Sequence, residues 1–200
     1  MNKQKLTGFV EKYSLGNTIE SVPWSIKSNT LTTEFVSEDR TLLGSVTLNS
    51  FAIDDAEIGI YNTTQLQKMI SVLGSDVTVN LKKADKRAIA IDMTDGDVSL
   101  NYMLADLDII PKAPKLKTLP DTTVVIEINN DFITKFVRAK NALSESDNFT
   151  VISNTITQII IGESDSNTNK ININVKTESS QAMSAISFNA NYLKEILAAN

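Results

Sequence analysis

The sequence predicts an α+β protein in which one helix–strands–helix unit occurs twice. Three observations predict it. Apolar residues recur at helical spacing in four stretches, and alternate with polar residues in many short stretches between them. Three of the four prolines, Pro111, Pro114 and Pro120, fall in one segment, 107–120, which reads as an extended connector. Short patterns from the first half return in the second at a nearly constant offset.

The first helix is expected at about 3–13, where Leu6, Phe9, Val10 and Tyr13 form an apolar stripe and Gly16 follows as a stop. Strands fill 22–61, the clearest at 30–36 and 41–48. Asn62 and Thr63 are placed to cap a second helix whose inner face is Leu66, Met69, Ile70 and Leu73, closed by Gly74. Val77, Val79 and Leu81 alternate as a strand, as do Ile89, Ile91 and Met93. Asp95-Gly96 then turns the chain into Val98, Leu100, Tyr102 and Leu104. Past the connector, Val124, Ile126 and Ile128 alternate, and Asn130 is expected to cap a third helix carrying Ile133, Phe136, Val137 and Leu143. Strands follow near 149–153, 155–161, 171–175 and 183–188. A fourth helix starts at Asn189 with Leu193, Ile196 and Leu197 inward. The expected domains are 1–106 and 121–200, joined by 107–120.

Leu6-Thr7, Phe9 and Val10 match Ile133-Thr134, Phe136 and Val137 at offset 127. Ser28-Asn29-Thr30-Leu31-Thr32 matches Ser153-Asn154-Thr155-Ile156-Thr157 at offset 125. Tyr61-Asn62 matches Phe188-Asn189, and Leu66, Met69 and Ile70 match Leu193, Ile196 and Leu197, again at 127. The same offset puts the counterpart of 75–106 beyond residue 200. The second domain is therefore expected to lack about three strands.

The chain has no cysteine, so it makes no disulfide and no thiolate chemistry, which fits a reducing compartment. It has no histidine either, which removes the usual neutral-pH general base and the commonest zinc ligand. No apolar run is long enough for a membrane span. Lys3, Lys5, Glu11 and Lys12 interrupt the first thirteen residues, so they do not read as a signal peptide.

The net charge is −5, which by itself disfavours nucleic acid. Its distribution points the other way. The first helix carries Lys3, Lys5 and Lys12 against Glu11, the second Lys68 alone, the third Lys135, Arg138 and Lys140 against Asp131, and the fourth Lys194 against Glu195. The helices are thus net basic on an acidic body. Helices that share a face would give it one sign of charge. Lys5, Lys12, Lys68, Lys135, Arg138 and Lys140 are the candidate DNA contacts. Lys82, Lys83, Lys86 and Arg87 read as a solvated hairpin tip.

A repeated helix–strands–helix–strands order with basic helices and a proline-bearing connector resembles the DNA polymerase sliding clamps. That family includes the eukaryotic proliferating-cell nuclear antigen and the T-even phage processivity clamp. The segment Asp55-Ala56-Glu57-Ile58-Gly59-Ile60-Tyr61-Asn62, then Leu66 and Met69-Ile70-Ser71-Val72-Leu73, looks like the strand-to-helix passage of phage clamps, and Tyr192 to Leu197 resembles their second-domain helix. The resemblance covers essentially the whole chain, apart from the expected loss of C-terminal strands.

It implies a duplicated DNA-clamp fold with antiparallel sheets outside and helices lining one face. It also implies a non-enzymatic homotrimeric ring around double-stranded DNA that tethers a replicative DNA polymerase and is placed by a clamp loader. It implies no cofactor, no metal, no membrane, and a place in the cytoplasm of a bacterial host if phage-encoded. Sliding needs phosphate contacts without base reading. Partner peptides would dock beside the connector, where Ile109, Ile110, Leu116 and Leu119 are the candidates. Subunits would join by sheet edges, through Val98, Leu100 and Tyr102 on one side and Ile171, Ile173 and Val175 on the other.

Two other classes compete. An enzyme would use Asp54, Asp55 and Glu57, or Asp106 and Asp108. Neither group has metal-ligand spacing with a second partner, and no phosphate loop or nucleophile motif accompanies them. A phage tail or capsid protein rich in β-structure would explain the strands and asparagines, but not basic helices recurring in both halves.

Overall fold

The computed structural model describes residues 1–200 apart from Lys86, Leu116, Lys117, Leu119, Pro120, residues 163–167 and Asn200. It is a mixed structure of helices and antiparallel sheets, and it divides after Lys115 into two compact units.

In the first unit, α1 (Lys3–Ser14) starts where the Asn2 side chain accepts from the Gln4 amide at 2.7 Å. Its C-cap is Leu15, and Gly16 follows in the left-handed conformation at φ 64°, as the expected stop. Leu15 takes the left-handed conformation at φ 47° and its amide donates to the Glu11 carbonyl at 3.3 Å. Next come β1 (Val22–Lys27), β2 (Thr30–Val36), β3 (Leu43–Asn49) and β4 (Ala56–Ile60), in the antiparallel order β3-β2-β1-β4. Ser28 and Asn29, at φ 49° and 61°, make the tight turn between β1 and β2. α2 (Thr63–Ser71) is capped by Asn62, whose side chain accepts from Gln65 N at 2.7 Å. β5 (Thr78–Ala84), β6 (Arg87–Thr94) and β7 (Ser99–Met103) form a second sheet in sequential order. A short 3-10 turn, Leu107–Ile109, opens the connector.

The core explains why these elements assemble. Trp24 of β1 is fully buried, with Phe9 edge-on at 5.5 Å and Tyr13 at 6.4 Å from α1. The Tyr13 hydroxyl is hydrogen-bonded to Thr63 Oγ1 at 3.2 Å, which ties α1 to the first turn of α2. Burial pushes the Tyr13 phenol well above its ordinary range.

The second unit contains β8 (Val124–Ile126), α3 (Asn130–Ala142), β9 (Asn148–Ser153), β10 (Thr157–Ile161), β11 (Ile171–Asn174), β12 (Thr177–Ser180), β13 (Met183–Asn189) and α4 (Ala190–Ala198). Its main sheet has the order β11-β10-β9-β13, which is the order of the first unit's main sheet strand for strand. β12 pairs with β8, a pairing the sequence reading did not foresee. Asn129, not Asn130, caps α3 by accepting from the Phe132 amide at 3.0 Å. Phe132, Phe136, Phe149, Val151, Ile159, Ile161 and Leu197 form the core, with Phe136 edge-on to Phe149 at 5.4 Å.

One repeat match fails by a single residue. Ser28-Asn29 is a turn, whereas Ser153 still belongs to β9 and is paired with Thr157. Leu31 is therefore fully buried in β2, while its supposed match Ile156 lies in the following turn and is 57% exposed. A one-residue slip reverses the face of every side chain in a strand. The structural partner of Leu31, across from Ile26, corresponds to Thr157, across from Ser153.

Candidate nucleic-acid interface

The buried residues of α1 (Leu6, Phe9, Val10, Tyr13 and Ser14) define its inner side. Lys5 and Lys12 lie on the other side and are exposed. Seven residues apart, they differ by only about 20° around the helix axis. α2 turns Thr63, Leu66 and Ile70 inward, which leaves Lys68 exposed opposite them. The two helices pack on each other within the first unit.

Three strand cations form ion pairs that Lys5, Lys12 and Lys68 lack, whereas Lys82 of β5 is exposed and, like them, in none of the pairs found among the described residues. Among the described residues, Lys27 of β1 pairs with Glu57 at 3.8 Å, Lys83 of β5 with Asp54 at 2.8 Å, and Arg87 of β6 with Asp106 at 2.6 Å. Hydrogen bonding to Lys83 and its charge hold the Asp54 carboxyl below the usual range. Asp106 is lowered likewise by the bond to Arg87, whose own pKa is raised in return. None of the ion pairs found among the described residues uses Lys5, Lys12 or Lys68.

Lys3 has a different job. Its ammonium donates to the carbonyls of Ser71 (3.1 Å) and Leu73, satisfying acceptors left open where α2 ends.

In the second unit, Lys135 and Arg138 are exposed on α3. Lys135 meets Asp131 at 2.6 Å, one turn earlier on the helix, and both side chains are largely in solvent. Lys140 must be removed from the candidate DNA contacts. It is 4% exposed, and its Nζ donates to the Ser144 carbonyl at 2.8 Å. Lys140 follows Phe136 by four residues and so falls on the apolar stripe, at the position that offset 127 assigns to the buried Tyr13. Helical phase gave that signal, and a count of charges missed it.

The connector candidates divide. Ile110 is buried against β4: a Cβ on Gly59 would come within 2.9 Å of its Cγ1 and 2.8 Å of the Ala105 carbonyl oxygen. Glycine at 59 is what admits this contact. Gly59 and Ala105 also form an antiparallel bridge, with Ala105 N donating to Gly59 O at 3.0 Å. Tyr61, Met103 and Ile109 are 61–64% exposed, an apolar set beside the connector. Sequence reasoning found Ile109 but missed Tyr61 and Met103. Leu116 and Leu119 lie outside the described residues.

The proposed subunit-joining residues sit on strand edges. β7 is an outer strand of its three-stranded sheet and β11 an outer strand of its four-stranded sheet. Leu100 and Tyr102 are buried in their own unit, and the Tyr102 hydroxyl bonds to Asn62 N at 3.0 Å and to its carbonyl at 3.1 Å. Ile173 is buried in the second core, and Ile171 and Val175 are packed against it. Val98 lies in the turn before β7, partly exposed. What these strands offer outward is mainly backbone.

Asp54, Asp55 and Glu57 do not converge on a common point: Asp54 bonds Lys83, Asp55 accepts from Ser28 N at 2.9 Å, and Glu57 faces Lys27. No family model matches the chain, and no curated relative is found for it.

Proposed function

We propose that this chain is a sliding clamp: a non-catalytic subunit with the duplicated clamp fold, which assembles as a ring around duplex DNA and tethers a polymerase. One observation carries the reading. Among the described residues, the exposed Lys5, Lys12 and Lys68 of α1 and α2 take part in no ion pair, while Lys27, Lys83 and Arg87 of the neighbouring strands each meet a carboxylate and Lys82 does not. Free cations on regular helices supply sequence-independent attraction to phosphate, which a protein that moves along DNA requires. The identical strand order of the two main sheets supports it further, because repetition lets one subunit present the same kind of helical surface twice. The outer edges of β7 and β11, unpaired along the strands among the described residues, give backbone groups through which subunits join.

In this reading Lys5, Lys12, Lys68, Lys135 and Arg138 meet phosphates. Tyr61, Met103 and Ile109 receive an apolar segment of the polymerase or loader. Tethering then raises the polymerase's local concentration at the primer end.

Native mass spectrometry with negative-stain imaging tests the assembly. The expected result is a trimer with a central hole wide enough for duplex DNA. A monomer, or an assembly with no hole, refutes the proposal and returns the chain to the class of β-rich structural proteins.

A further inference from the structure

Gly8 lies in the interior of α1, and a Cβ built on it meets no heavy atom within 4 Å. Glycine is among the poorest helix formers. The unit's own packing supplies no reason for it here, since alanine would fit without contact. Its position on the helix does suggest one. Gly8 falls between Lys5 and Lys12, three residues after one and four before the other, on the face turned away from Leu6, Phe9 and Tyr13. The two lysines are about 10.5 Å apart along the axis. Between them the bare backbone makes a shallow step flanked by two cations that are free of ion pairs among the described residues. Gly8 is half-buried with open space where a Cβ would point, and the equivalent position of α3, at offset 127, holds the exposed Lys135, so in both units this point of the first helix lies off the core face.

We infer that Gly8 is a close-approach point for a nucleic-acid phosphate backbone, which lets a sugar–phosphate ridge settle against α1 with Lys5 and Lys12 on either side. The inference rests on the DNA-binding reading above and deepens it. A side chain at position 8 would hold the ridge away and lengthen both lysine contacts, and attraction to phosphate falls with distance. Glu11 is exposed on the adjoining flank and opposes the anion, so its charge is a built-in control.

The test measures binding of a fluorescent DNA duplex at low salt, together with thermal unfolding and oligomeric state, for the full chain and for Gly8→Ala, Gly8→Leu, Lys5→Ala, Lys12→Ala and Glu11→Gln. Gly8→Ala should unfold at a higher temperature, because alanine is the better helix former, and yet bind DNA more weakly by about twofold. Gly8→Leu should weaken binding by about fivefold or more, and Glu11→Gln should strengthen it. Each lysine variant should lower the salt dependence by about one phosphate contact. If the lysine variants bind normally, the DNA reading of this face fails. If they weaken binding while Gly8→Leu binds like the unaltered chain, the close-approach inference alone is overturned. A change in oligomeric state on Gly8→Leu, with DNA binding intact, also overturns it, since another protein surface would then occupy the step.

Discussion

β4 of the first unit and β13 of the second hold the same place, each at the end of its sheet beside the first strand, yet they differ in surroundings. Ile58 and Ile60 are buried, whereas Ile186 and Phe188, across from Val151 and Phe149, are 43% and 48% exposed. β4 has Ala105 bridged to its outer side and Ile110 packed onto Gly59. Among the described residues, no strand pairs with the outer side of β13. A second contrast lies within the cores. Phe35 of β2 faces Gly44 of β3, and its ring occupies the space of the missing side chain, since a Cβ there would be 2.3 Å from the ring. The corresponding pair is Ile161 and Ile171, two side chains of middling size. Strand order and register are kept while volume moves between partners, which is how close-packed interiors tolerate changes of sequence.

The largest effects should come from the two helix–sheet anchors. Phe9→Ala and Phe136→Ala should each cost about 3–5 kcal/mol. Hydrogen exchange should show the loss confined to the mutated unit. A loss spread equally over both would mean that the units do not unfold separately.

Gly44→Ile should cost about 1–3 kcal/mol by overpacking against Phe35. The double change Phe35→Ile with Gly44→Ile rebuilds the pair found at 161 and 171 and should recover most of that loss. A double-mutant cycle in denaturant measures the coupling, and additive losses would refute the exchange of volumes.

Lys140 sharpens the contrast with Tyr13. Its buried ammonium has one carbonyl partner among the bonds described, so Lys140→Met should raise the stability of the second unit by about 1 kcal/mol and leave DNA binding unchanged. Weaker DNA binding would reinstate Lys140 as a contact.

The smallest effect concerns acid. Asp95 accepts from Val98 N at 2.8 Å, Gly74 N at 2.5 Å and Asp97 N at 3.0 Å, and these amides lower its pKa. A depressed carboxyl stabilises the folded state above its ordinary titration range of about 4, and that contribution is lost as pH falls through the lower folded value. The first unit should therefore lose part of its stability below about pH 4, and Asp95→Asn should flatten that dependence in urea titrations at several pH values.

Much of this architecture was legible because helical stripes and caps are local signals. Phe9, Leu66 and Phe136 announced their helices, and Asn62 announced the start of α2. Caps were readable to within a residue: Asn129 rather than Asn130 caps α3, while Gly16 follows the Leu15 cap of α1 in the left-handed conformation as expected. The Ser-Asn-Thr match misled because turn-forming residues recur for turn chemistry as well as by repetition, and strands reverse face on a one-residue slip. Of the exposed apolar residues Tyr61, Met103 and Ile109, only Ile109 was legible, because exposure at 61 and 103 follows from tertiary packing that no local pattern reports. Lys140 was misread because net charge along a helix ignores which way each residue points.

Retention on closed DNA tests the central claim most directly. The chain would be loaded by a partner clamp loader onto nicked circular DNA, passed through a sizing column in high salt, and the DNA then cut once. The account predicts that the protein stays with the circle in salt that abolishes ordinary phosphate contacts and is lost after the cut, because it slides off the ends. Loss from the intact circle, or equal retention on circular and linear DNA, would contradict it.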